Sequence, residues 1–176
     1  MKKVVQIFCA VSTEGFFGKG SGLPWDFAQP NQDMKRFVAG TLDTSAVMGR
    51  ETWESLPPNR RPLKNRENIV LSRRSGYQAE GAVVYDSLEE AIAKAIKPVI
   101  TIIGGRATIE QALVNKLATT AFITRVSVRG GIPKSHDMRS YSQLLEERYL
   151  HPLVLTSLER HEQSLVGGGV ADLEFR

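Results

Sequence analysis

Three short runs put arginine beside a small or flexible residue: Gly49-Arg50, Ser72-Arg73 and Gly104-Gly105-Arg106. Each follows a short, largely apolar stretch, at residues 46–48, 67–71 and 98–103. Glycine lets backbone N–H groups come close to a ligand. The start of a helix turns such groups toward an anion, and arginine grips a phosphate with two parallel bonds. Any one of these runs is equally a simple turn. Together, at three strand exits, they suit a dinucleotide with a pyrophosphate and one further phosphate. A different chemistry attaches to Asp33, which precedes Phe37 and Thr41 at i+4 and i+8 with Met34 beside it, on one helix face. A carboxylate turned toward apolar neighbours is costly unless a partner binds its charge. Its pKa rises, which suits proton-linked chemistry. As a first-turn acid, Asp33 would alternatively serve only the helix dipole.

The elements that must position these residues can be read from periodicity and punctuation. Residues 4–11 are a buried strand. Residues 12–25, rich in glycine and closed by Pro24-Trp25, are a loop. Phe16 and Phe17 make it too apolar for an idle linker, so it is expected to act as a lid. A helix follows from Pro30-Asn31 to about Thr41. Strands are expected over 46–48, 67–71, 98–103 and 121–128, with helices starting near Glu51 and over 87–95 and 107–113. Ser87 is the N-cap of the second of these helices, with Glu89 and Glu90 in its first turn. Residues 57–66 form a proline-rich turn, and residues 151–161 and 170–175 a hairpin around Gly167-Gly168-Gly169. Alternating strands and helices imply an α/β fold: one domain over residues 1–176, with a mixed, mostly parallel central sheet flanked by helices and a C-terminal antiparallel hairpin. Ligands of such sheets bind outside the carboxyl ends of the strands, where the three arginine runs stand.

Composition agrees with a globular chain of 176 residues, 41% hydrophobic and 24% charged. The single cysteine, Cys9, excludes an internal disulfide framework and suits the cytoplasm. No stretch approaches the roughly 20 apolar residues of a membrane span. The lysines and short apolar run at the N-terminus read as a first strand rather than a signal peptide. A net charge of +4 favours anionic ligands. It comes without basic runs or an aromatic platform for bases, which favours a small phosphorylated molecule over nucleic acid. His136, His151 and His161 lack metal-ligand spacing, so no metal is assigned.

Several runs together are similar to the dihydrofolate reductase family. They are Leu23-Pro24-Trp25, an acid on the following helix, Met48-Gly49-Arg50-Glu51-Thr52-Trp53-Glu54-Ser55-Leu56, the segment from Arg61 to Arg73, and Ile102-Ile103-Gly104-Gly105. The resemblance is dense over residues 4–73, returns at 99–125 and is loose in the last third. It implies a dihydrofolate reductase-like fold and NADPH-dependent reduction of 7,8-dihydrofolate to tetrahydrofolate. By resemblance, Asp33 binds the pterin edge and promotes ring protonation, supported by Thr124. Phe8, Cys9, Ala10, Met34, Phe37, Leu56 and Leu63 would line the substrate pocket, with Arg66 gripping the glutamate tail. Gly49, Arg50, Thr52, Leu71, Ser72, Arg73, Ile103, Gly104, Gly105 and Arg106 would hold NADPH, with Gly104-Gly105 joined by a cis peptide. Ala10, Gly18 and Leu23 would meet its nicotinamide side. Partners would be dihydrofolate and antifolate-like small molecules, with neither nucleic acid nor membrane, and the chain a cytoplasmic monomer.

The chain departs from the family pattern in three places. Two extra residues between Trp25 and Asp33 raise Asp26 as a competing acid, but Asp33 has the helical spacing. Thr108-Ile109 stand where the family has a tyrosine, and Arg129-Gly130-Gly131-Ile132-Pro133 replaces an acidic loop. Such departures suit a diverged member, as viral and mobile-element versions are. Two other readings stay open: a pyrimidine reductase of the riboflavin pathway, and a catalytically weak folate- or dinucleotide-binding protein. Trp53 is either a core residue or part of the site.

Overall fold

The protein was analysed as a computed structural model, which describes residues 3–12, 16–19, 22–23, 32–126, 138–140, 159–165 and 168–175. The chain packs as two compact units, residues 1–8 with 40–119 and residues 9–39 with 120–176. Strand β1 (Val4–Ser12) contributes to both.

The first unit is built on parallel strands. After the amino-terminal part of β1 come β3 (Ser45–Gly49), β4 (Glu67–Leu71), β5 (Val83–Tyr85) and β6 (Val99–Gly104), in the order β5-β4-β3-β6-β1. Every pair in that order is parallel. Ile69, Val47, Ile102 and Ile7 lie in register across four strands, and each is at most 1% exposed. Such burial is what a parallel sheet covered on both faces requires, and it explains why these strands read as unbroken apolar runs. Helices α2 (Arg50–Ser55), α3 (Leu88–Lys94) and α4 (Arg106–Val114) pack on this sheet. The α4 helix buries Thr108, Ile109, Ala112 and Leu113, one face of two turns. Ser87 caps α3 as anticipated, its Oγ accepting from the Glu90 amide at 3.1 Å. At the other end of α3, Lys3 Nζ donates to the carbonyls of Ile92 (2.8 Å) and Ala93 (2.6 Å), a cation where the helix dipole favours one.

In the second unit the carboxyl part of β1 is followed by β7 (Thr120–Val126), β10 (Gly168–Phe175) and β9 (Glu159–Leu165), with β10 antiparallel to both β7 and β9. Here too are α1 (Gln32–Gly40, apart from its last residue) and a two-stranded ladder of β2 (Phe16–Lys19) with β8 (Met138–Ser140).

The anticipated α/β architecture, a mostly parallel sheet with a C-terminal antiparallel hairpin, is therefore present. Four details differ. Residues 16–19, read as loop, form strand β2, because β8 lies more than a hundred residues away in sequence and supplies the ladder; a register shift between Phe16 and Gly18 accommodates the glycine. That partner strand, β8, was not anticipated either. Neither was β5, a three-residue edge strand too short to show a period. The first hairpin strand, β9, continues to Leu165 rather than ending at His161; residues 151–158 lie outside the described residues. So do Pro30, Asn31 and Asp26 near α1.

The row through Ile102 sets a stability test. Ile102→Ala is expected to cost about 2–5 kcal/mol and Ile102→Val about 0.5–1.5 kcal/mol, through the cavity each leaves. Urea denaturation of the two variants measures this. Equal, small losses would show that the row is not tightly packed.

Candidate functional site

At the carboxyl edge of the first unit's sheet three strand exits lie side by side. Gly49, last in β3, is in register with Leu71, last in β4, and Met48 is in register with Gly104, last in β6. Gly49 and Gly105 are the residues immediately before α2 and α4, and no side chain caps either helix. Their first-turn N–H groups are thus not taken by a cap side chain, in contrast to α3 with its serine. Gly104 has φ +138, a conformation that L side chains rarely adopt. A Cβ on Gly105 would stand 3.1 Å from Thr52 Oγ1. The pair therefore forms a close backbone approach in which Thr52 of α2 meets the start of α4. The Gly104–Gly105 peptide is cis, as the family resemblance implies.

The charges on this edge are organised. Arg50 Nη1 lies 2.7 Å from Glu54 Oε2, and Nη2 lies 3.9 Å from Glu51 Oε1. Arg106 Nε lies 2.6 Å from Glu110 Oε1. Beyond β4, the Ser72 amide donates to the Tyr85 carbonyl (2.9 Å), and Ser72 Oγ accepts from the Arg74 amide (3.2 Å). Arg73 and Arg74 are exposed. These features give a backbone cradle, hydroxyls and several guanidinium groups, a donor set matched to phosphate oxygens. The glutamates were missed from sequence, although Arg50/Glu54 and Arg106/Glu110 carry the i,i+4 spacing that would have revealed them.

Residues expected to line the substrate pocket divide between the units. In the first, Leu56 and Leu63, together with Ile103 of the cofactor set, pack against a buried cluster of Ala46, Met48, Trp53, Val70 and Ala79. Trp53, 3% exposed, is thereby a core residue; the Arg61 guanidinium stands 5.7 Å from its ring centre. The Phe8 ring fills the space a side chain at Gly40 would need, with Cε2 2.4 Å from an ideal Cβ there. Arg66 is half-buried, and loss of water lowers its pKa from the ordinary value. Its Nε donates to Thr41 Oγ1 (2.9 Å) and its Nη1 to the Lys64 carbonyl (2.6 Å). Buried Asn68 shapes this turn: its Oδ1 accepts from the Leu63 amide, and its Nδ2 donates to the carbonyls of Leu63 and Arg66. Neither Thr41 nor Asn68 was singled out as a support for Arg66, because their bonds depend on how the chain turns.

The opposite, amino-terminal edge of the same sheet has a different character. An open groove of about 870 Å³ there is lined by Leu42, Asp43, Arg66, Glu67, Ile96 and Lys97, among others. Its polar groups already serve the fold. Ser45 donates to Glu67, Glu67 accepts from the Ile96 amide, and Lys97 pairs with Asp43.

In the second unit, Asp33 is the second residue of α1, and its side chain lies outside the described residues. Met34 and Phe37 are half-buried on the same helix. Thr124, 3% exposed, sits in β7 in register with Asp172 of β10. Cys9 and Ala10 are half-buried in β1, Gly18 is buried in β2 and Leu23 is half-buried. Burial pushes the Cys9 thiol up to about 12. Residues 129–137 and His151 lie outside the described residues. Among the described residues no cluster of histidine, cysteine, aspartate or glutamate could hold a metal.

The sequence pattern of the dihydrofolate reductase family matches residues 4–148. The dihydrofolate reductase of Mycobacterium leprae is 44% identical over 124 residues, covering 70% of this chain and 72% of that one. The enzyme of Mycobacterium tuberculosis is 38% identical over 131 residues, covering 74% and 75%. Among solved structures, dihydrofolate reductase from Enterococcus faecalis, complexed with NADP(H) and RAB-propyl, superposes with a TM-score of 0.73 at 23% identity. That match covers 98% of this chain and 96% of the other; it bears on the fold.

The Cys9 thiol predicts a pH effect. In the unfolded chain it loses its proton near its ordinary value of 9.0, whereas in the folded chain it keeps it up to about 12. Between those values the folded state binds more protons, so this contribution to stability is complete below about pH 9 and is lost as pH rises toward about 12. Denaturation of wild type and Cys9→Ala at about pH 7.5 and about pH 10.5 tests it. Wild type is expected to lose stability relative to the variant at the higher pH; a constant difference would contradict it.

Proposed function

The chain belongs to the dihydrofolate reductase family, and from that premise we propose that it reduces 7,8-dihydrofolate to 5,6,7,8-tetrahydrofolate, with NADPH as cofactor. The observation that carries this reading is the alignment of three strand exits whose glycines, hydroxyls and arginines offer one continuous donor edge to phosphates. The cradle suits the cofactor: two helix starts without a side-chain cap open onto it, and a Cβ at Gly105 would press on Thr52 Oγ1 at 3.1 Å. When bound, NADPH supplies the hydride delivered to C6 of the pterin.

In this proposal Arg50, Thr52, Ser72, Arg73 and Arg106 bind the cofactor's phosphates. Gly49, Leu71, Ile103, Gly104 and Gly105 bring backbone and packing surface to it. Arg50 with Ser72 and Arg73 takes the additional ribose phosphate, which favours NADPH over NADH. Ala10, Gly18 and Leu23 border the nicotinamide. Asp33, supported by Thr124, holds the pterin edge and favours protonation at N5, with a water delivering the proton. Phe8, Cys9, Ala10, Met34, Phe37, Leu56 and Leu63 are the substrate's apolar contacts in this reading, and Arg66, already oriented by Thr41 and Lys64, takes the glutamate tail. The protein's contribution is mainly orientation and exclusion of bulk water. Ile109 is 4% exposed, so the position at which the family has a tyrosine is filled here by a core side chain; the effect falls on turnover rather than on reaction type.

The same proposal takes residues 1–176 as one functional domain, acting as a cytoplasmic monomer on dihydrofolate and binding antifolate-like small molecules. No helix among the described residues is long and apolar enough to cross a membrane.

Cofactor oxidation in the presence of dihydrofolate, with NADH as control and Asp33→Asn alongside, tests the reading. Wild type is expected to turn over with a preference for NADPH. Asp33→Asn is expected to lose about a hundredfold or more at neutral pH and less at low pH, where the substrate carries its own proton. An unchanged pH profile would remove the role given to Asp33. Tight binding of both ligands without turnover would favour a binding protein instead.

A further inference from the structure

Glu54 has no part in the reaction proposed above, yet it holds one of the arginines of the phosphate edge. Its Oε2 lies 2.7 Å from Arg50 Nη1, one turn back on α2. It also faces Tyr77, whose hydroxyl is pushed up in pKa first by burial, then by the charge of Glu54 and a hydrogen-bonding interaction with it. The Tyr77 amide in turn donates to the Arg74 carbonyl at 3.2 Å. The second acid near Arg50, Glu51, is placed differently. Its carboxylate is 3.9 Å from the guanidinium and its side chain is 67% exposed, against 2.7 Å and 42% for Glu54.

We propose that Glu54 is a positioning residue of the cofactor site: it fixes the Arg50 guanidinium at the exit of β3, so that the additional ribose phosphate meets an arginine already held in place. This rests on the reading of Arg50, Ser72 and Arg73 as phosphate ligands. An unrestrained arginine gives up much rotamer freedom when it takes a phosphate, whereas one already held has given it up on folding. Arginine carries five N–H donors, so the bond to Glu54 leaves others for a ligand. The opposing effect is repulsion between the Glu54 carboxylate and the phosphate. Glu54 is 42% exposed, and water and salt screen charges at such positions. Ordering therefore outweighs repulsion.

The test is direct binding of NADPH and NADH to wild type, Glu54→Gln, Glu51→Gln, Arg50→Gln and the double variant Arg50→Gln/Glu54→Gln, with thermal unfolding and steady-state kinetics on each. Glu54→Gln is expected to weaken NADPH binding by about three- to tenfold. NADH binding should stay within about twofold, and the NADPH KM should rise without a fall in kcat. Glu51→Gln, which removes the same charge, should not weaken binding. In the Arg50→Gln background the Glu54 substitution should have no further effect, which separates positioning from a general loss of stability. Equal or tighter NADPH binding by Glu54→Gln, or the same loss with and without Arg50, would overturn the proposal. If wild type binds both cofactors alike and Arg50→Gln is silent, the phosphate reading fails and takes the proposal with it.

Discussion

Parallel strands cannot be joined by tight turns, so β3, β4 and β6 must each release the chain at the same edge of the sheet. The in-register row of Ile69, Val47, Ile102 and Ile7 fixes how far each strand runs before it does so. A slip of one residue would turn every buried side chain to the opposite face. The core therefore sets the alignment of Gly49, Leu71 and Gly104, and the proposed chemistry of the edge depends on that alignment.

What happens beyond the strand ends differs by helix, and the difference has a physical reading. The α3 helix is closed at both ends, by Ser87 and by Lys3. The α2 and α4 helices begin at glycines without a side-chain cap, and Thr52 Oγ1 stands 3.1 Å from where a Cβ on Gly105 would lie. Caps are worth about 0.5–2 kcal/mol, so leaving two helix starts without them is a local cost in stability. A nucleotide's phosphates would offset it. On the same edge each of Arg50 and Arg106 is paired with a glutamate of its own helix, which keeps the cations in place. At the amino-terminal edge, by contrast, Ser45, Glu67, Asp43 and Lys97 are satisfied by one another and by backbone.

Most of the first unit was legible in the sequence, because its strands are apolar runs ended by glycine or serine. Residues 67–71 were placed to the residue, and Ser87 was identified as a cap. The second unit was less so. Strand β2 contains two aromatics and a glycine and takes its structure from β8, far along the chain; no local period could announce it. Short β5 is an edge strand defined by its neighbour. At the site, the glycine-arginine runs stood out by composition. Thr41 and Asn68 did not, since each acts through geometry: a hydroxyl offered to Arg66, and a side chain threaded into its own loop. Asp33 was marked by its helical spacing to Phe37 and by family resemblance.

The central claim is that three strand exits act as one nucleotide site. Following backbone amide chemical shifts while NADP⁺ is titrated into the protein tests it most directly. The account predicts that amides at 49–52, 72–73 and 104–106 shift together along a single binding curve. Asp43, Asn65 and Lys97 at the opposite edge should stay unmoved. Shifts centred on that opposite edge, or three exits responding with separate affinities, would contradict it.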